Sequence, residues 1–175
     1  KGTGMLYVRR GIRIFPLFHG GSQEANIRSG TENLAGIVAM VKALRLIKEK
    51  EKNQGKKLQE LQRYAIGQLQ KLDGVLVNTP TENVAPHLIN ISVPGIKPEV
   101  IIHMLGEKDI YISTKSACSS KLTDESKVLA ACGFAMDRTT SALRISLSYD
   151  NTKEELDIFI KELEKAINEF KQVLE

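Results

Sequence analysis

The chain has 175 residues, enough for one ordinary domain and marginal for two. Hydrophobic residues make up 42% and charged residues 26%, a balance that excludes a disordered chain. No uncharged apolar run approaches about 18 residues, which excludes a membrane-spanning helix. The net charge is only +4, and acids alternate with bases in Lys48-Glu49-Lys50-Glu51-Lys52, so neither argues for a nucleic-acid surface. Two cysteines are too few for a disulfide-built secreted fold, and no basic–apolar–small leader pattern opens the chain. A reducing, cytoplasmic setting is the expectation.

Met5 to Val8 reads as a short, mostly buried strand. Polar and glycine-rich loops follow, at His19-Gly20-Gly21-Ser22 and Ser29-Gly30-Thr31. A helix is expected from about Thr31, with Leu34, Ile37, Val38, Val41 and Leu44 on one buried face. Asn53-Gln54-Gly55 weakens that pattern, which resumes at Leu58, Leu61, Ala65, Leu69 and Leu72 as the same helix or a second one. Val75 to Val77 reads as a strand after Asp73-Gly74. Leu88 to Val93 is a clearer strand, with Ile89, Ile91 and Val93 on one face and Asn90 and Ser92 on the other.

Pro98 opens a helix whose apolar face is Val100, Ile101, Met104 and Leu105. Ile110 to Ile112 reads as a strand leading into a polar stretch, and Lys127 to Ala131 as a short helix ended by Gly133. Leu143, Ile145 and Leu147 alternate with Arg144, Ser146 and Ser148, a half-buried strand. Thr152 and Glu155 form a capping box for the last helix, whose buried stripe is Leu156, Phe159, Ile160, Leu163, Ile167, Phe170 and Leu174. The expected fold class is α+β, a sheet layer packed by helices on one side.

Four places carry candidate chemistry. Cys118 sits in Ser116-Ala117-Cys118-Ser119-Ser120 with Lys115 and Lys121 nearby. Most free cysteines are inert core residues, but small polar neighbours and ammonium groups favour an accessible thiolate, the nucleophilic form. Cys132 has apolar neighbours at a helix end and reads as a small core residue. Arg28-Ser29-Gly30-Thr31 leads into a helix, where the same residues serve either as an anion site or as a cap through Thr31. Arg144 either reaches solvent, pairs with a protein carboxylate, or grips a substrate carboxylate with its fork of donors. No metal site is expected from two unpaired cysteines.

Taken together, these runs resemble the C-terminal part of the NifS/IscS-like cysteine desulfurases, pyridoxal phosphate enzymes of the class-V aminotransferase group. The matching runs begin with Lys1-Gly2-Thr3-Gly4-Met5-Leu6-Tyr7-Val8-Arg9-Arg10, His19-Gly20-Gly21-Ser22-Gln23-Glu24 and Arg28-Ser29-Gly30-Thr31-Glu32-Asn33. They continue with Ser116-Ala117-Cys118-Ser119-Ser120 and Leu143-Arg144-Ile145-Ser146-Leu147-Ser148, in order and in register.

The resemblance implies a fold-type I transferase, with residues 1–30 ending its large cofactor-binding domain and residues 31–175 forming its C-terminal small domain. It implies that Cys118 takes sulfur from L-cysteine as a persulfide, leaving L-alanine. Arg144 matches the residue that holds the substrate carboxylate, and Thr31 a hydroxyl that reaches the cofactor phosphate of the partner subunit in a homodimer. The sulfur would pass to an acceptor protein for iron–sulfur cluster assembly or tRNA thiolation. His19 and Arg28 lie in matched runs without an implied role. The family's Schiff-base lysine precedes the residues matched by Lys1-Gly2, so this chain alone is expected to be inactive. A selenocysteine lyase, or a stand-alone sulfur-relay module without cofactor, are the alternative expectations.

Overall fold

The computed structural model describes residues 2–114 and 125–174. It divides into two compact units, residues 1–53 and 54–175.

In the first unit the expected strand Met5 to Val8 does not form: its backbone is irregular, and Met5, Leu6 and Tyr7 are exposed. Four apolar residues in a row satisfy the strand pattern, but a strand needs a neighbour to take its backbone groups. Helix α1 runs from Leu34 to Leu69. Its start lies later than Thr31, because Asn33 does the capping: the Gly36 N–H donates to Asn33 Oδ1 at 3.0 Å. Gly55 does not break it, since one glycine in a helix interior costs only about 1 kcal/mol relative to alanine. The expected buried face of the first half is a second correction. Leu34, Val38, Val41 and Leu44 are all more than half exposed. Periodicity marks an apolar face; it does not supply what covers it.

In the second unit the core forms. Strands β1 (Leu76–Val77), β2 (Leu88–Ser92) and β3 (Ala142–Ser146) make one antiparallel sheet in that order. One face carries Ile89, Ile91, Leu143, Ile145 and Leu147, packed against Leu58, Leu61, Ala65 and Leu69 of α1. Helices α2 (Pro98–Gly106) and α5 (Lys153–Leu174) complete this core with Ile101, Leu105, Leu156, Phe159, Leu163 and Ile167. The alternation read in β2 and β3 is therefore the observed one. Ile110 to Ile112 is a third correction: the segment forms no strand, and only Ser113 bridges Arg144 on the free edge of β3. Among the described residues no helix is long and apolar enough to cross a membrane.

Two short helices lie beyond the core, α3 (Lys127–Ala131) and α4 (Met136–Thr140). Helix α4 has no apolar periodicity to announce it. Helix α3 ends in a Schellman turn, with the Gly133 N–H donating to Ala130 O at 2.9 Å and that of Phe134 to Leu129 O at 3.1 Å. Gly133 takes φ +83°, which a side chain would resist.

The capping box of α5 is in place. Glu155 N–H donates to Thr152 Oγ1 at 3.3 Å, and Thr152 N–H donates to Glu155 Oε2 at 3.1 Å. Asn151 Nδ2 also donates to that carboxylate at 3.0 Å. The Asn151 bond, then the Thr152 N–H, hold the Glu155 carboxyl below the usual glutamate range. A depressed folded value stabilises the fold at neutral pH, and that contribution is lost as pH falls through it. Thr152→Ala is expected to cost about 1 kcal/mol. A urea midpoint unchanged at neutral pH would contradict this.

Candidate functional site

The sheet's second face is polar. In the β2–β3 register Asn90 is paired with Arg144 and Ser92 with Ala142, so these side chains leave the sheet away from the apolar core. The backbone of Asn90 bonds only toward β1: its carbonyl accepts from Asn78 N at 2.8 Å, and its N–H donates to Thr79 Oγ1 at 2.7 Å. The backbone of Arg144 bonds only toward Ser113, donating at 2.6 Å and accepting at 3.0 Å. Asn90 and Arg144 are thus a non-hydrogen-bonded cross-strand pair, the kind whose side chains stand closest.

Beside this face lies a cavity of about 770 Å³. Arg144, Asn90 and Asn78 are polar lining residues; Leu88, Leu129 and Phe134 line its apolar part. Thr114 and Glu125 line it too, and they are the described residues on either side of the segment that contains Cys118. Cys118 itself lies outside the described residues. Among the described residues no carboxylate pairs with the exposed Arg144 side chain.

A buried hydrogen-bond network supports the polar face. Asn78 is 6% exposed, and its Nδ2 donates to Asn90 Oδ1 and to Ser92 Oγ, each at 2.7 Å. Ser92 Oγ donates in turn to the Arg138 carbonyl at 2.7 Å. Arg138 returns the link from α4: Nε donates to Asn78 Oδ1 at 2.8 Å, and Nη2 to Val77 O at 2.7 Å. Its guanidinium also sits 4.6 Å from the Phe134 ring centroid. Thr139, fully buried, donates from Oγ1 to Glu125 Oε1 at 3.0 Å. Sequence reasoning missed Asn78 and Arg138, which are 60 residues apart; the alternation of Asn90 and Ser92 opposite buried isoleucines was its only trace.

Cys132 corrects the expectation of a core residue. It is exposed and lines the cavity. It is the C-cap of α3, where only Leu129 is buried, so the apolar run around it is not a core run. Thr31 is exposed and belongs to the other compact unit from Arg144. Gly30 takes φ +113°, and a Cβ there would stand 2.8 Å from Arg28 Nη1. Arg28 also bonds to Ser29 O and lies 5.0 Å from the Phe18 ring centroid.

Residues 1–159 match the family model described as aminotransferase class-V. A NifS/IcsS protein homolog of Lactobacillus delbrueckii subsp. bulgaricus is 39% identical over 174 residues, which are 99% of this chain and 45% of that protein. The cysteine desulfurase IscS of Dictyoglomus turgidum is 38% identical, over 99% of this chain and 44% of that protein. The chain therefore spans somewhat under half the length of these relatives. A NifS-like protein of known structure superposes with a TM-score of 0.79 at 34% identity, over 93% of this chain and 41% of that one. The NifS-like protein from Rickettsia africae superposes at 0.77 and 26% identity, over 90% of this chain and 41% of that one. These likenesses agree with the expected α+β fold of a fold-type I small domain. The chain belongs to the aminotransferase class-V family, and within it is similar to the NifS/IscS-type cysteine desulfurases.

Proposed function

We propose that this chain is the C-terminal part of a pyridoxal phosphate-dependent cysteine desulfurase, cytoplasmic and homodimeric. Residues 1–30 would close its large domain and residues 31–175 form its small domain. The observation that carries the reading is the exposed Arg144 fork lining a cavity whose lining includes both described neighbours of the Cys118 segment.

In this reading Arg144 binds the carboxylate of L-cysteine through two parallel N–H···O bonds and fixes the amino acid's orientation. The Cys118 thiolate attacks the substrate sulfur. A sulfur–sulfur bond forms as the carbon–sulfur bond breaks; the electron pair stays with carbon, which is protonated to give L-alanine. The persulfide then passes to an acceptor protein, a scaffold for iron–sulfur clusters or a tRNA-thiolation enzyme. Bound pyridoxal phosphate supplies the electron sink for this chemistry. Of this chain's residues, Thr31 would reach the phosphate of the cofactor bound in the partner subunit.

The test is a persulfide map of the full-length protein. L-cysteine is added, thiols are alkylated without reduction, and the Cys118 peptide is weighed. One extra sulfur on Cys118, dependent on substrate, is expected. An unmodified Cys118 in protein that binds the cofactor would remove the desulfurase reading.

A further inference from the structure

We propose that Asn90 is a second substrate-binding residue, donating its side-chain N–H2 to the same carboxylate that Arg144 grips. This rests on the reading of Arg144 given above. The two residues are directly paired across β2 and β3 without intervening backbone hydrogen bonds, so their side chains rise side by side. Both line the cavity.

The orientation of the Asn90 amide is set by its neighbour. Asn78 Nδ2 donates to Asn90 Oδ1 at 2.7 Å, which commits the oxygen end toward β1. Asn78 cannot turn over to release it, because its own oxygen accepts from Arg138 Nε at 2.8 Å. The Asn90 N–H2 is then the free end, and among the described residues no acceptor takes it. A guanidinium and an amide, both donors and neither with a carboxylate partner among the described residues, make a site for a small anion with more than one acceptor oxygen. The carboxylate of an amino acid has that chemistry. Asn90 adds a neutral donor beside the charged one, which favours the ligand without a second charge to desolvate.

The test separates donor from scaffold. L-alanine and ethylamine, which differ by the carboxylate, are titrated calorimetrically into the full-length protein and its Asn90→Ala, Asn90→Asp and Arg144→Ala variants. Asn90→Ala is expected to weaken L-alanine by about tenfold to a hundredfold, with ethylamine changed less than about twofold. Asn90→Asp keeps the acceptor for Asn78 and so keeps the network, yet it is expected to bind L-alanine more weakly than Asn90→Ala, because it sets a negative charge beside the carboxylate. A purely structural Asn90 would show a lower thermal midpoint in Asn90→Ala with the alanine-to-ethylamine preference intact, and that result overturns the inference. If Arg144→Ala also leaves the preference intact, the carboxylate site is elsewhere, and the reading falls together with the inference. If Arg144→Ala abolishes the preference while Asn90→Ala does not, only the inference falls.

Discussion

Arg144→Ala in the full-length protein is expected to lower kcat/KM for L-cysteine on the order of a hundredfold to a thousandfold, with little change in stability. The magnitude follows from two charge-assisted hydrogen bonds lost together, each stronger than a neutral one. The small stability effect follows from placement. The Arg144 side chain is exposed and has no carboxylate partner among the described residues, while its backbone bonds to Ser113 do not depend on the side chain. Arg144→Lys is expected to recover only part of the loss, because an ammonium cannot present two parallel donors in one plane. Steady-state kinetics with L-cysteine checks both variants. Wild-type kcat/KM in Arg144→Ala would place the substrate carboxylate elsewhere.

Asn78→Leu is expected to destabilise the fold by about 3 kcal/mol, although it exchanges a polar side chain for an apolar one of similar size at a buried position. Asn78 is the hub of the network. It accepts from Arg138 and donates to Asn90 and Ser92, and both it and Ser92 are buried. Removing it leaves the half-buried guanidinium of Arg138 without its main acceptor and strips a donor from two neighbours. A charged group that loses its partner away from water costs more than the pair contributed. The double variant Asn78→Leu, Arg138→Leu is therefore expected to be more stable than Asn78→Leu alone. Urea denaturation of the four proteins in the cycle measures this. Equal stability of the single and double variants would show that Arg138 finds water instead and that the network is not coupled.

Features that depend on residues within a few positions of each other were legible in the sequence. The Thr152–Glu155 box, Pro98 in the first turn of α2, Gly133 past the end of α3 and the alternation of β2 and β3 are all of this kind. Their physics is local, because a cap or a turn satisfies backbone groups within one helical turn. Arg144 was legible as an arginine on the polar face of a strand, and the runs shared with desulfurases supplied its candidate role.

Tertiary structure decided the remainder. The apolar stripe of Leu34, Val38, Val41 and Leu44 is as regular as that of Leu58, Leu61, Ala65 and Leu69, yet the first is exposed and the second buried. Periodicity states which face is apolar; burial also needs a second surface, and that comes from distant parts of a chain. Met5 to Val8 failed as a strand, and Ile110 to Ile112 likewise, for the matching reason that pairing is not a property of one segment. Cys132 left the core because the cap geometry of α3 turned it toward the cavity. The orientation of the Asn90 amide rests on Asn78 and, through it, on Arg138. Sequence by itself determined the caps and turns, the alternation of β2 and β3 and the family. Only the packed chain decided which apolar faces found partners and which way the polar groups of the site point, because both are settled by contacts between residues far apart along the chain.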